Sequence, residues 1–423
     1  MGHNTKTVER RRVAIVASKR IPFVKSGTYY NKITLSELLT PVFDSLVHTL
    51  NLSGKRLGEV VVGSLLKSPS ERGLARDCVL GTTLDPHTPA FDLERACGSG
   101  LEAVTAVANK IALGQIECGM AGGVDTNSNL PLLFSDNLAQ VFKNFYSKGL
   151  SAQSILDLKS LRPKDFLPEL PRVVEKRTGL SMGEHCELMA KEWSVTRESQ
   201  DELALESHKK AAEAYASGFY KDLVIEFKGL NRDSILREDT SLDKLLKLKT
   251  AFDKTETGTL TAGNSTALSD GAAAVFLASE EYAQKNNLPI LAYFADVRAW
   301  GVDFVSGKEG LLMAPTYAVA DLLKAHELSF SDFKFIEIHE AFAAQVLCTL
   351  KAWETDPFNL GPIDRSRLNT VGSSLALGHP FSATGARISG TLAKLLSHNP
   401  GELGLISICT AGGMGVAAIL EGA

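Results

Sequence analysis

Two segments of the sequence resemble each other, and this internal repeat constrains the fold more than any other feature. In the first half, CGSG (97–100) is typical of a helix start and is followed by AGG (121–123) in an apolar run. In the second half, the segment that begins at His379 also opens a helix, and AGG returns at 411–413. Two reactive residues, each placed before a helix and each followed by AGG, predict a duplicated core whose halves face each other.

Strand-like and helix-like segments alternate on both sides of a long charged stretch, which predicts an α/β fold with a mostly parallel sheet. Strand-like apolar runs occur at 12–17, 60–63, 90–93, 118–124, 272–278, 290–297, 333–338 and 403–408. The charged stretch is rich in helix signals and too long for a plain loop. We therefore expect an N-terminal half (1–125 and 268–288), an inserted loop domain (126–267) and a C-terminal half (289–423).

The composition is that of an ordinary globular protein and excludes several classes. The 423 residues carry a formal net charge of −4, with 44% hydrophobic and 22% charged residues. The lack of a basic balance argues against nucleic acid as a partner, and the six cysteines form no C-x-x-C pair that would predict a zinc site. The apolar run after the basic residues 10–12 is short for a signal-peptide core, so we expect a cytoplasmic protein of bacterial type, with a mitochondrial location left open.

Cys97 is the first candidate for chemistry. Ser99 and Glu102 have the S-x-x-E spacing of a capping box, which predicts a helix that begins just after Cys97. The positive end of a helix dipole and the free N–H groups there stabilise a thiolate, and the flanking glycines let a substrate approach closely. A buried, inert cysteine at a tight strand–helix turn explains this segment equally well.

Three further segments place polar side chains beside small residues. The Gly- and Ser-rich segment around His379 could hold a general base for a nearby thiol. Cys409 lies at the end of an apolar strand, and the small residues after it could expose backbone N–H groups, as an oxyanion hole requires. A third strand delivers His339 to its carboxyl end, where α/β proteins bind ligands. Taken singly, each segment also fits a structural role, as a core histidine or a close-packed glycine crossing.

Taken together and in this order, the motifs resemble those of thiolases, the acyl-CoA acyltransferases that cleave or form 3-ketoacyl-CoA. The matching segments are CGSG (97–100), TAGNSTALSDGAA (261–273), HEAF (339–342), GHPFSATGAR (378–387) and CTAGGMG (409–415). The resemblance runs from about residue 12 to residue 420. It implies a thiolase fold, in which two βαβαβ-type halves form an α-β-α-β-α layered core with an inserted loop domain.

The resemblance implies a role for each reactive position. Cys97 corresponds to the nucleophile that becomes acylated, His379 to the base that activates it, and Cys409 to the second acid/base. Two oxyanion holes are implied, one formed by His379 with His339 and the other by the backbone N–H groups of Cys97 and Ala411. Many thiolases have asparagine where this chain has His339. The HEAF form resembles the branch that contains the thiolase subunits of fatty-acid β-oxidation complexes, and a histidine there could make the oxyanion hole pH-sensitive.

The resemblance also implies contacts with coenzyme A, which is a substrate here, so no resident cofactor and no metal are expected. The inserted stretch resembles the thiolase loop domain that covers the pantetheine arm. Ser181 and Met182 match its HMG-like segment, with Ser181 in place of a histidine or a similar residue, and Ser265 and Thr266 match the position that contacts the pantetheine. The predicted substrate-binding residues are Ser181, Met182, Ser265, Thr266, Phe342, Ala411 and Gly412.

The sequence therefore predicts a 3-ketoacyl-CoA thiolase of fatty-acid β-oxidation, with the biosynthetic acetoacetyl-CoA thiolase as the alternative. A 3-ketoacyl synthase fits less well because decarboxylative condensation needs no second thiol such as Cys409. A non-catalytic, lipid-binding thiolase-like protein fits less well because all four reactive positions are filled. The expected partners are CoA thioesters and further copies of the chain, as a homodimer or a dimer of dimers; a hydratase/dehydrogenase partner is left open. The apolar and Lys-rich segment 134–161 is better explained by packing on its own core than by contact with a membrane or a partner.

Overall fold

The computed structural model describes residues 10–131, 133–149, 151–167 and 174–423. The β-strands are β1 (Val13–Arg20), β2 (Val24–Lys25), β3 (Glu59–Gly63), β4 (Ala90–Leu93), β5 (Cys118–Asp125), β6 (Ser269–Ser279), β7 (Ala292–Gly301), β8 (Phe333–Ile338), β9 (Leu403–Thr410) and β10 (Met414–Gly422). The α-helices are α1 (Leu35–Thr49), α2 (Leu74–Leu80), α3 (Ser99–Ala112), α4 (Asp136–Lys148), α5 (Ala152–Lys159), α6 (Met182–Glu192), α7 (Arg197–Ala216), α8 (Leu242–Leu246), α9 (Glu280–Lys285), α10 (Ala314–His326), α11 (Ala343–Glu354), α12 (Ser374–Leu377) and α13 (Ala383–Leu396). Every apolar run predicted as a strand overlaps one of these strands.

The strands of the described residues form one hydrogen-bonded sheet that contains two similar halves. Its order is β4-β3-β5-β6-β1-β7-β10-β9-β8, and β2 pairs with β6 outside this path. β1 joins β7 over only two residue pairs, Ala14 with Tyr293 and Ile15 with Ala292. On one side of this joint β5, β6 and β1 are antiparallel and β3 is parallel to β5. On the other side β9, β10 and β7 are antiparallel and β8 is parallel to β9, so the topology shows the predicted duplication. Most neighbouring strands in the described sheet are antiparallel, so the prediction of a mostly parallel sheet is wrong.

Helices α3 and α13 form the middle layer of the fold. They pack against each other, and α13 also contacts strands of both halves. Side chains on one face of β1, β5 and β6 share an apolar cluster with these helices and with side chains of β9 and β10. The opposite faces are covered by α1 and α2 in the N-terminal half and by α10 and α11 in the C-terminal half. Because alternate residues of a strand point to opposite faces, this gives the α-β-α-β-α order of layers.

The internal repeat corresponds to similar structure at the two helices but not at the two AGG segments. AGG (121–123) lies inside β5 and is buried, whereas AGG (411–413) forms the turn between β9 and β10. Gly412 and Gly413 have φ values of 79° and 67° in that turn, a left-handed conformation that costs glycine little. The predicted equivalence of the AGG segments is therefore wrong: three small residues allow close sheet packing in one half and a turn in the other.

The described residues between β5 and β6 add helices and no strand to the sheet. This stretch contains α4 to α8, of which α7 packs on α11 and α12 of the C-terminal half. In α4, Leu138 and Val141 are buried, while Phe142 is 57% exposed and Tyr146 is 96% exposed. Packing on its own core thus explains only one face of this helix. No helix in the described ranges is both long and apolar enough to cross a lipid bilayer.

Candidate active site

The start of α3 places Cys97 directly before a helix, as predicted, although the predicted capping box is wrong. The hydroxyl of Ser99 donates to the Ala96 carbonyl (2.6 Å) and accepts from the Arg95 N–H (2.7 Å), so it closes the preceding turn instead of capping the helix. Glu102 forms an ion pair with Arg95 (2.9 Å). Ala96 lies at φ 44°, which is a left-handed conformation, and this turn explains why the S-x-x-E spacing does not close into a box.

The Cys97 thiol lies against the backbone of Ala411. The sulfur accepts a hydrogen bond from the Ala411 N–H, which brings together the two halves of the predicted second oxyanion hole. Burial raises the pKa of the Cys97 thiol to about 12, and the hydrogen bonds from Ala411 and from its own backbone oppose that rise. The loss of solvation therefore raises the pKa by more than these hydrogen bonds lower it, and the resting thiol is protonated at neutral pH. Its activation requires a base.

His379 is a fully enclosed side chain ahead of α13. Its backbone N–H donates to Ser269 Oγ (3.2 Å), and its Nδ1 lies 2.6 Å from Thr384 Oγ1 in the first turn of the helix. Its Nε2 is buried without a hydrogen-bond partner among the described residues. Burial and, to a smaller extent, the charge of Arg387 lower the pKa of His379 to about 3, so the imidazole is neutral at pH 7. A neutral imidazole with an open ring nitrogen can act as a general base.

His339 follows β8 and lies close to His379, with the two ring centroids 4.0 Å apart and the ring planes tilted by 45°. Its backbone N–H donates to the Ser407 carbonyl (2.8 Å), and its Nδ1 lies 2.8 Å from Ser374 Oγ. Burial, His379 and Arg387 lower the pKa of His339 well below its ordinary value. The ring therefore stays neutral around pH 7, which contradicts the expectation that it titrates in that range.

Cys409 is the next-to-last residue of β9, lies near Cys97 and is 2% exposed. It belongs to an apolar cluster that includes Phe342, with Met182 packed against it. Burial, followed by the proximity of Cys97, raises the pKa of the Cys409 thiol well above its ordinary value. The site thus combines two protonated thiols with two neutral imidazoles.

Two glycines allow the starts of α3 and α13 to touch. A β-carbon on Gly100 would lie 2.3 Å from the carbonyl oxygen of Ser382 and 2.8 Å from the Ala386 nitrogen. A β-carbon on Gly385 would lie 2.1 Å from the Leu101 nitrogen. No larger residue fits this crossing without movement of the backbone. The crossing brings the segment that carries Cys97 against the segment that follows His379.

Three of the predicted substrate-binding residues lie together. Ser265 pairs with Phe342 in an antiparallel bridge, and the Thr266 N–H donates to the Ala341 carbonyl (3.0 Å). The Ser265 hydroxyl is buried and has no partner within the described ranges. Ser265 and Thr266 line a groove of about 510 Å³, whose charged lining residues include Lys25 and Arg237.

The other predicted residues are divided between structural and site positions. Ser181 caps α6 in a capping box with Glu184, so its hydroxyl is already engaged with Oε2 of that residue (2.7 Å). Met182 packs against the apolar cluster that holds Cys409. The Gly412 N–H donates to Glu175 Oε1 (2.7 Å), so this donor is occupied, whereas that of Ala411 faces the Cys97 sulfur.

Sequence reasoning missed the residues that support the two histidines. Thr384 contacts His379, Ser374 contacts His339, and the Arg387 guanidinium donates to Ser374 Oγ (2.7 Å). Thr384 and Arg387 belong to GHPFSATGAR (378–387), so the motif contained them without indicating a role. Ser374 lies just before that motif and is identified only by the tertiary contact.

Models of the two thiolase domains match almost the whole chain. The thiolase N-terminal domain matches residues 13–281, and the thiolase C-terminal domain matches residues 288–422. A 3-ketoacyl-CoA thiolase of Pectobacterium carotovorum subsp. carotovorum (strain PC1) is 39% identical over 425 residues, which cover 97% of this chain and 96% of that protein. A 3-ketoacyl-CoA thiolase of Yersinia pestis (strain Pestoides F) is 37% identical over 425 residues, which cover 97% of both chains.

Solved structures of similar proteins share the fold. The acetyl-CoA acetyltransferase of Bacillus anthracis matches with a TM-score of 0.84 at 30% identity and covers 99% of this chain and 100% of that one. Human mitochondrial 3-ketoacyl-CoA thiolase in complex with CoA matches with a TM-score of 0.83 at 28% identity and covers 98% of both chains. The chain belongs to the thiolase family. It has the thiolase fold and is an acyltransferase, and both predictions from the sequence are confirmed.

Proposed function

We propose that this chain is a 3-ketoacyl-CoA thiolase, which cleaves a 3-ketoacyl-CoA with free CoA into acetyl-CoA and a shortened acyl-CoA. Relatives with that name align with it over nearly their full length at 37–39% identity. The observation that carries the proposal is the contact between the starts of α3 and α13, which brings the segment with the thiol pair Cys97 and Cys409 towards the neutral imidazole pair His379 and His339. Acyl transfer to the enzyme and then to CoA requires protonated thiols and neutral imidazoles at rest.

The first step transfers the acyl group to the enzyme. Nε2 of His379 takes the proton of the Cys97 thiol, and the sulfur attacks the C3 carbonyl carbon of the substrate. The bond between C2 and C3 breaks, and its electron pair leaves with the acetyl-CoA carbon. The Cys409 thiol supplies the proton that this carbon needs. Acetyl-CoA then leaves, and the shortened acyl group stays on Cys97 as a thioester.

The second step returns the enzyme to its resting state. The thiol of incoming CoA gives its proton to the Cys409 thiolate, and the CoA sulfur attacks the acyl carbon. Cys97 leaves as a thiolate and recovers its proton from His379. Negative charge develops on an oxygen in both steps, and donors fixed in advance stabilise it more than mobile water does. The Ala411 N–H is one such donor.

The groove beside Ser265 and Thr266 is the proposed site of the CoA arm. Its lining combines apolar side chains with Lys25 and Arg237. The formal net charge of the chain is −4, so local cations are needed to attract the phosphates of CoA. Coenzyme A acts here as a substrate.

Thiolysis of acetoacetyl-CoA and of a long-chain 3-ketoacyl-CoA tests the proposal. Loss of the 3-keto thioester after addition of CoA should occur with both substrates. Cys78→Ala should keep this activity because its thiol is buried in the outer core of the N-terminal half, whereas Cys97→Ala should lose it. Mass spectrometry of the acylated intermediate should find one acyl group on Cys97. Cleavage confined to the four-carbon substrate would instead favour the biosynthetic thiolase, and acylation elsewhere, or none, would contradict the mechanism.

We also propose that copies of the chain associate as a homodimer or a dimer of dimers. β4 supports this because it is an edge strand of the sheet, and an edge strand presents unpaired backbone groups to a second chain. Mass measurement of the purified native protein should give at least twice the chain mass of 45.5 kDa. Co-purification of a hydratase/dehydrogenase subunit would place the chain in a multienzyme complex. A monomer at micromolar concentration would contradict the association.

A further inference from the structure

A series of buried hydrogen bonds lies behind His339, and its members take no part in the proposed reaction steps. Nη2 of Arg387 donates to Ser374 Oγ (2.7 Å), and the same hydroxyl lies 2.8 Å from Nδ1 of His339. All three side chains are buried, with exposures of 2%, 0% and 0%. The opposite ring nitrogen, Nε2, is also buried and has no hydrogen-bond partner among the described residues. His339 is therefore held on one side and open on the other.

We propose that Arg387 and Ser374 are positioning residues that hold His339 as the tautomer with its proton on Nε2, so that this N–H donates to the oxyanion that forms during thiolysis. The inference deepens the proposed thiolase function and depends on it for the role of the oxyanion. The tautomer itself follows from these two contacts alone. It is therefore measurable whether or not the chain cleaves a 3-ketoacyl-CoA.

The direction of each hydrogen bond follows from the donors available. A guanidinium has only donors, so Ser374 Oγ must accept from Arg387. The one hydrogen of that hydroxyl is then free to donate, and among the described residues only Nδ1 of His339 is in place to accept it. Nδ1 is thereby an acceptor, and a neutral imidazole that accepts at Nδ1 carries its proton on Nε2.

The opposite tautomer would leave a buried hydrogen without a partner. If Nδ1 carried the proton and donated to Ser374 Oγ, the hydroxyl would receive two donors and its own hydrogen would have no acceptor. An unpartnered buried polar group of this kind costs about 1–3 kcal/mol. The positive charge of Arg387 also polarises the hydroxyl, which makes it a better donor and disfavours a second N–H beside it.

The groups around Arg387 keep this charge in the core. Glu337 lies two residues before His339 on β8 and is buried, and burial raises the pKa of its carboxyl to about 8 while Arg387 opposes the rise. Glu340 is also buried, and it accepts from Ser207 (2.7 Å) and Asn369 (2.7 Å). Burial lowers the pKa of Arg387, and the attraction of Glu337 and Glu340 opposes that fall. Its Nη2 donates to Ser374 Oγ.

This support from Ser374 and Arg387 is needed because the side chain at position 339 is a histidine. An amide side chain always carries N–H donors, whereas a neutral imidazole offers a donor at Nε2 in only one of its two tautomers. An oxyanion hole stabilises charge best when its donors are oriented before the reaction. A histidine can therefore serve here without protonation, provided that its tautomer is fixed from behind.

Nitrogen-15 NMR of histidine-labelled full-length protein tests the tautomer. The chain has nine histidines, so loss of one signal pair in His339→Gln assigns this ring. In the wild type at pH 7 we expect a protonated Nε2 and an unprotonated Nδ1 for His339. In Ser374→Ala the two nitrogens should move towards the averaged shifts of mixed tautomers, and Ser374→Thr should restore the wild-type pattern.

Kinetics of the same variants test the role. Ser374→Ala should lower kcat for thiolysis about 10-fold to 100-fold with KM changed less than about twofold, and Ser374→Thr should recover most of the loss. Ser389→Ala is the matched control, because it removes another buried hydroxyl from the same region, one that donates to the Gly385 carbonyl (2.8 Å). Its kcat should stay within about twofold of the wild type.

Three results would overturn the inference: a protonated Nδ1 in the wild type, an unchanged tautomer in a folded Ser374→Ala, or an unchanged kcat in that variant. If Ser374→Ala does not fold, the wild-type spectrum still decides the tautomer. A wild type that shows the expected tautomer without thiolysis activity would instead contradict the proposed function.

Discussion

The starts of α3 and α13 occupy equivalent places in the two halves, yet they present their reactive groups differently. Cys97 is partly exposed and lies two residues before its helix, with its sulfur on a backbone N–H. His379 is enclosed and lies four residues before its helix, with its ring held by Thr384 of the first turn. In the proposed mechanism, the partly exposed residue is the one that must meet the substrate, and the enclosed one must only exchange a proton.

This difference shows what duplication contributes to such a site. Two copies of one strand–helix arrangement bring two helix starts to the same point, where Gly100 and Gly385 let them touch. The scaffold supplies proximity, and each half then supplies a different chemistry through the residues just before its helix. The following predictions test that division of roles, from the largest expected effect to the smallest.

Removal of either reactive group should have the largest effect. Cys97→Ala and His379→Ala should each lower kcat/KM for thiolysis by at least about 10³-fold, because nucleophile and base act as one unit. For the same reason kcat/KM of the double variant should be no more than about tenfold below that of the less active single variant. Steady-state assays on all three proteins measure this. Losses that multiply in the double variant would show that the two halves act independently.

Substitution at the glycine crossing should come next. Gly100→Ala and Gly385→Ala each place a β-carbon within 2.5 Å of backbone atoms of the other helix start, so each should lower the free energy of unfolding by about 1–3 kcal/mol or more. Gly301→Ala is the control, since the nearest atom there is 3.9 Å away. Its effect should stay below about 1 kcal/mol. Urea unfolding of the three variants gives the comparison. Equal stabilities would mean that the crossing adapts.

Loss of the support for the base should have a moderate effect on rate. Thr384→Val removes the oxygen 2.6 Å from Nδ1 of His379 and frees the ring to change its orientation or tautomer. We expect kcat to fall about 10-fold to 100-fold, which is part of what a general base supplies. Thr105→Val is the counterpart on α3, where the hydroxyl bonds only its own helix at Leu101 (2.9 Å). A loss in Thr105→Val as large as that in Thr384→Val would show that both changes act through stability.

The sequence predicted the elements of this site better than their connections. Helix α3, strand β9 and the positions of Cys97 and Cys409 follow from local patterns, because apolar periodicity and glycine placement are read within a few residues. The capping box at Ser99 was wrong because Ala96 adopts a left-handed turn that no local pattern shows. The partners of the two histidines were missed for another reason: Ser374 and His339 are 35 residues apart and meet only in the folded core.

The smallest predicted effect concerns stability, and it separates the two reactive groups by pH. The pKa of His379 is lowered to about 3, so between that value and the ordinary value near 6.5 the unfolded chain binds a proton that the folded chain does not. This histidine therefore makes the free energy of unfolding fall as pH falls below about 6.5, by up to about 1.4 kcal/mol per pH unit. His379→Ala should reduce that slope between pH 6 and pH 5.

Cys97→Ala is the matched control for this slope. Its thiol has a pKa raised to about 12, so it stays protonated in both states throughout this range and its removal should leave the slope unchanged. Urea unfolding of the wild type and both variants at pH 7, 6 and 5 measures the difference. A slope that is the same in His379→Ala and in the wild type would mean that the pKa of this imidazole is the same in the folded and the unfolded chain. The folded imidazole would then become charged below about pH 6.5, and the contrast between a partly exposed thiol and an enclosed imidazole that stays neutral would not hold.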